Sequence, residues 1–188
     1  MSEDEKDAVR RAGVWTQLAV DLYDDGRYAD GVVAAGEALA LSAAAVRAYR
    51  AKALCLSQLG RADEALTFAD NAVQLGPDVG ITHATRALCL HRLGRTEEAE
   101  AEFEAATVLS PDDYRVYYNA ACYWAERGRE DECRRYFALA MELAPESFAP
   151  LPAADPDLAR FSSREWFREC LAALRRRTGA FKPASAAE

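Results

Sequence analysis

The chain has 188 residues, 51% of them hydrophobic, and a net charge of −8. That apolar content supports a folded core and excludes wholesale disorder. The acidic balance disfavours DNA and anionic lipid, which are bound through a basic field, and no stretch approaches the roughly 20 apolar residues of a membrane helix.

The first segment, "MSEDEKDAVRR", reads as an acidic extension over 1–11, disordered up to about Asp7. It carries no apolar leader, and the five cysteines are odd in number. Free thiols in a reducing cytoplasm are the expectation.

From residue 12 the chain repeats itself. Gly26, Gly60, Gly94 and Gly128 are spaced by 34, and so are Pro77, Pro111 and Pro145. Two alanine series keep the same step: Ala19, Ala53, Ala87, Ala121, and Ala38, Ala72, Ala106, Ala140. Gly31, Ala65, Ala99 and Cys133 form a third small series. Large apolar residues interleave at Leu22, Leu56, Leu90, Trp124 and at Leu41, Leu75, Leu109, Leu143. The expected repeats are 12–45, 46–79, 80–113 and 114–147.

Each repeat reads as helix, turn, helix. Tyr49, Ala53 and Leu56 share one helical face. Gly60 suits the left-handed position that ends a helix, and Asp63 suits the positive start of the next. The alanines allow two helices to approach closely. In the first repeat, Gly31 and Gly36 weaken the second helix. A single helix pair cannot bury its apolar face, so the pairs are expected to stack.

Residues 148–179 read as a connector, "FAPLPAADPDLARF", and a capping helix, "SSREWFRECLAALRRRTG". Ser162 and Glu165 have capping-box spacing. Trp166, Phe167, Cys170, Leu171 and Leu174 form an apolar stripe expected to cover the fourth repeat. Arg175, Arg176 and Arg177 suit the negative end of that helix. The tail over 180–188 is expected to be disordered.

The pattern resembles the tetratricopeptide repeat (TPR) family. Tyr117, Ala121, Gly128, Cys133, Phe137, Ala140 and Pro145 occupy that family's aromatic, small, turn and closing positions in the fourth repeat. The second and third repeats match nearly as well. The resemblance implies an all-α, right-handed α-solenoid of antiparallel helix pairs, the TPR superhelix. The cap is similar to one common in bacterial members. It also implies protein or peptide binding in a concave groove lined by the first helix of each repeat.

Groove positions carried over from the family are Arg47, Arg50, Leu54 and Gln58, then Leu88, His91 and Arg92, then Arg115, Tyr118, Asn119 and Cys122. Four arginines there face only Asp24 and Glu126 on an otherwise acidic chain. The expected partner is a protein or peptide with acidic and apolar side chains. The family's clamp for a partner's terminal carboxylate is not matched. Thr16, Val20, Ala51, Ile81 and Thr85 hold its places in one frame; in the other, Arg50 and Arg115 stand beside Leu54, Thr85 and Asn119. Glu97, Glu98, Glu100, Glu102 and Glu104 read as a solvated face.

Chemistry is not expected. His83 replaces an aromatic and reads as a half-buried ring, while His91 lies about 12 Å further along one helix. Cysteines stand at packing positions, without metal-ligand spacing. No phosphate loop or nucleophile elbow is present. No cofactor or metal is expected, and the reading is a non-enzymatic scaffold, adaptor or assembly chaperone. Two alternatives are a self-associating homodimer and an enzyme using Cys122 as a groove thiol.

Overall fold

The structure is a computed structural model describing residues 2–145, 148, 155 and 157–178. Every regular element among them is helical, and the chain divides into two compact units, Met1–Leu109 and Ser110–Glu188.

The first unit holds α1 (Glu3–Asp24), α2 (Tyr28–Leu41), α3 (Val46–Gln58), α4 (Ala62–Leu75), α5 (Gly80–Arg92) and α6 (Thr96–Leu109). Each helix packs against the next, and α1, α3 and α5 also touch in succession. The contacts run through small residues. Ala19, Ala38, Ala53, Ala72, Ala87 and Ala106 are all fully buried, with Leu56 and Leu90 between them. The other large series behaves differently: Leu75 and Leu109 are exposed, because they lie in the last turn of their helices.

The turns follow from glycine. Gly26 and Gly60 have φ of 73° and 74°, a left-handed conformation that costs a side chain dearly. The next amide reaches back to close the helix, Arg27 N–H to Leu22 O at 2.8 Å and Arg61 N–H to Leu56 O at 3.0 Å. Gly94 and Gly128 repeat the geometry. The arginine after each glycine then pairs into the first turn of the next helix: Arg27 with Asp30, Arg61 with Glu64, Arg95 with Glu98, Arg129 with Glu132. The hydrogen bond from Arg61 holds the Glu64 carboxyl below its usual range.

The second unit holds α7 (Tyr114–Glu126), α8 (Glu130–Leu143), a short 3-10 turn (Ala159–Phe161) and α9 (Glu165–Thr178). The pair α7–α8 repeats the pattern, and α9 packs on α8. The expected apolar stripe makes that contact: Phe167 stacks on Phe137 at 4.7 Å, and Leu171 and Leu174 are buried. Arg177 donates to Met141 O at 3.0 Å and Ala144 O at 2.5 Å, so it caps α8.

Two local expectations are corrected. The acidic start is helical from Glu3, not disordered. The Ser2 hydroxyl accepts the Glu5 amide at 3.2 Å, the Glu5 carboxylate accepts the Ser2 amide at 2.6 Å, and Glu3, Asp4 and Glu5 sit at the positive helix end. Ser162 ends the 3-10 turn and α9 begins only at Glu165, so the spacing of Ser162 and Glu165 makes no helix start. The tail over 180–188 lies outside the described residues, as does part of the connector.

Candidate functional site

In the first unit, α1, α3 and α5 present one shared side, joined by polar bonds between neighbours. Arg47 on α3 donates to the Gln17 side-chain carbonyl on α1 at 2.7 Å. Arg50 Nε donates to Thr85 Oγ1 on α5 at 3.1 Å, and buried Thr85 donates in turn to Ile81 O at 2.9 Å. Gln58 Nε2 reaches Tyr23 Oη at 3.5 Å. Arg47, Arg50, Leu54 and Gln58 follow helical spacing along α3, with Arg47 exposed and the others half-buried. On α5, Leu88 and His91 are half-buried and Arg92 is exposed. Two arginines therefore have guanidinium planes partly oriented by neighbouring helices before any partner arrives.

The second unit departs from the expected groove. Arg115 forks onto Asp113, with bonds of 2.8 and 2.6 Å, and Asp113 also accepts the Arg115 amide as the cap of α7. Cys122 is buried and Tyr118 half-buried. Phe148 packs edge-on against Tyr118 at 4.9 Å and Tyr114 at 4.7 Å. The Tyr118 hydroxyl donates to Asp155 Oδ2 at 2.5 Å, and Cys122 Sγ lies 3.9 Å from the same oxygen. Arg160 donates to Ala125 O at 2.9 Å. Phe148 and Asp155 thus engage Tyr118, Asp155 also meets Cys122, and Asn119 beside them is half-buried. Phe148, Asp155, Arg160 and Gln17 carry no repeat-periodic signal that would have singled them out.

Cys122, Asp155 and Asp157 bring three potential ligand atoms within 4.8 Å of one another. Asp155 already accepts from Tyr118, from Cys122 and from the Asp157 amide at 2.9 Å, which accounts for both its oxygens. Burial pushes the Cys122 thiol well above its usual range, the reverse of an activated nucleophile. Burial likewise raises Cys55 to about 11 and Cys89 and Cys133 to about 12. These thiols are neutral packing groups.

His83 is half-buried as expected, yet it is not a passive ring. Its Nδ1 meets Glu102 Oε2 at 2.8 Å and its Nε2 meets Pro77 O at 2.9 Å. Arg86 joins Asp70 at 2.7 Å to the other Glu102 oxygen at 2.6 Å. Glu102 therefore ties α6 to α5, and the expectation of a fully solvated glutamate face is corrected at this residue. Its side chain is 18% exposed, whereas Glu97, Glu98 and Glu104 are exposed.

No curated protein sequence matches the chain significantly. Among solved structures, a thermophilic TPR protein of Thermus thermophilus is 18% identical with a TM-score of 0.63, covering 96% of this chain and 93% of that one. PilF of Pseudomonas aeruginosa is 17% identical with a TM-score of 0.57, over 97% and 80% of the two chains. The type III secretion translocator chaperone SycD of Yersinia enterocolitica is 16% identical with a TM-score of 0.52, over 68% and 92%. These likenesses show the fold, an all-α TPR solenoid. A family model described as the bacterial transcriptional activator domain matches residues 2–113, starting where α1 starts. The chain belongs to the bacterial transcriptional activator domain family, built on tetratricopeptide repeats.

Proposed function

We propose that the chain is a non-enzymatic protein-binding module of a bacterial cytoplasmic activator or adaptor. Its first unit takes an extended or helical peptide segment along α1, α3 and α5. Arg47, Arg50 and Arg92 meet carboxylates of the partner, Leu54 and Leu88 meet its apolar side chains, and Gln58 and His91 add hydrogen bonds. The observation that carries this reading is the pair of cross-helix bonds, Arg47 to Gln17 and Arg50 to Thr85, which hold positive charge on one side of an acidic chain. A TPR fold is shared with SycD, which is named a chaperone. With a net charge of −8, the contribution to transcription is contact with protein rather than DNA. Arg115, Tyr118 and Cys122, all in the second unit, drop out of this set with their neighbour Asn119, because Asp113 engages Arg115 while Phe148 and Asp155 engage Tyr118 and Cys122.

The test is a peptide array of mixed acidic and apolar sequences, probed with the natural chain and with an Arg47→Glu/Arg50→Glu/Arg92→Glu variant. The expected result is peptides bound by the natural chain and lost by the variant, with binding weakened by added salt. Equal binding by both chains overturns the groove.

A further inference from the structure

We propose that α1 carries a second interaction surface, a two-fold contact in which α1 of one copy lies antiparallel against α1 of another. The observation is a mismatch between equivalent faces. In the first unit, α3 rests on α2 and α5 rests on α4. Cys55 on α3 fits against Gly31 of α2, and Cys89 on α5 clusters with Ala65 and Ala69 of α4; both cysteines, with Ala48 on α3 and Thr82 on α5, are at 0% exposure. Their equivalents on α1, 34 residues before the α3 pair and 68 before the α5 pair, are Val14 and Asp21, and Leu18 lies between them. Among the described residues nothing covers that face: Val14 is 68% exposed and Leu18 40%.

That face is not an ordinary solvated one. α1 is 22 residues long where α3 and α5 have 13. The extra turns extend a stripe of Asp7, Arg11, Val14, Leu18, Asp21 and Asp25, spaced alternately by 4 and 3. This is the spacing of a helix-pairing seam, with two apolar residues at its centre. The charges select the partner. With a two-fold axis midway between Val14 and Leu18, each Val14 meets the other copy's Leu18, and each Arg11 meets the other copy's Asp21. A parallel arrangement would set Arg11 against Arg11 and Asp21 against Asp21. The self-complementary order, positive then apolar then negative, fits a second copy of this chain. Asp7 opposite Asp25 at the two ends keeps the association weak. This face adjoins the side of α1, α3 and α5 assigned to peptide, and Gln17 stands between them, donating to Asp21 at 2.7 Å and accepting from Arg47 at 2.7 Å.

The test is sedimentation equilibrium of the full chain over the micromolar to millimolar range. The expected result is a reversible monomer–dimer equilibrium for the natural chain. Val14→Glu weakens it about tenfold or more. Arg11→Asp and Asp21→Arg each weaken it alone, because each sets like charges against each other. Mixing those two variants restores a dimer, since both contacts across the axis are then of opposite sign. All three positions are on the surface, and unchanged circular dichroism and melting confirm that the variants fold. A natural chain that stays monomeric throughout, or a mixture no tighter than its separate components, overturns the proposal.

Discussion

The sulfur of Cys55 lies 2.6 Å from the place a Cβ on Gly31 would occupy, closer than two such atoms can approach. Gly31 is therefore not simply a weak point in α2. It is the hollow that receives a side chain from α3, and the Ala19 carbonyl closes the same hollow at 3.4 Å. Gly31→Ala is expected to destabilise the chain by about 1–3 kcal/mol through overpacking, less the helix propensity it gains. In a Cys55→Ala background the same change stabilises by about 0.5–1 kcal/mol, because the space is then open. Urea unfolding of the four chains measures both signs. An identical effect in the two backgrounds would mean that Cys55 is not the neighbour that matters.

Buried thiols make alkaline stability predictable. Cys89 is raised to about 12 by burial, whereas an unfolded thiol ionises near 8.5. Above that value the unfolded chain loses the proton while the folded chain keeps it. Stability present below about pH 8 is therefore lost as the pH rises toward 12, with a slope approaching about 1.4 kcal/mol per pH unit from this thiol. Cys55, Cys122 and Cys133 act in the same direction. Cys89→Ala lowers stability at neutral pH but flattens the alkaline fall, as read from urea midpoints at a series of pH values.

Tyr118→Phe removes the hydroxyl that donates to Asp155 and leaves the carboxylate with fewer partners. The expected cost is about 1–3 kcal/mol. Hydrogen exchange should report it as faster opening in α7 and α8, with α1 to α5 unaffected. Peptide binding by the first unit is expected to persist, so a parallel loss of binding would show that the two are linked.

Glu102→Ala removes one partner each from Arg86 and His83, which keep Asp70 and the Pro77 carbonyl. A loss of about 1–3 kcal/mol is expected. Glu97→Ala, on the same helix but exposed, should stay within about 0.5 kcal/mol of the natural chain. Thermal melts of the two variants compare a tethered with a solvated glutamate directly.

Much of the fold was readable from periodic residues. A step of 34 places Gly26, Gly60, Gly94 and Gly128, and a left-handed turn at each is a local consequence of having no Cβ. Ala72 and Ala106 mark close helix contacts because nothing larger fits. Trp166, Phe167, Leu171 and Leu174 announce a covering helix by spacing alone. Arg47, Arg50 and Gln58 were placed together only by the family resemblance, and the structure sets them at helical intervals along α3.

Residues joined across irregular chain were not legible. Tyr118 and Asp155 are separated by 37 positions and meet through a connector whose path no periodicity describes. A groove position and a covered position look the same in one repeat, since burial depends on what returns to lie over it. Glu102 likewise sits in a glutamate run, and only its approach to Arg86 and His83 distinguishes it from its neighbours. Local backbone preference and side-chain size are properties of each residue and survive in the sequence. Coverage is a property of pairs distant in the chain, and packing alone assigns it: Tyr114 and Tyr118 of α7 lie against Phe148, and among the described residues nothing covers Val14 of α1.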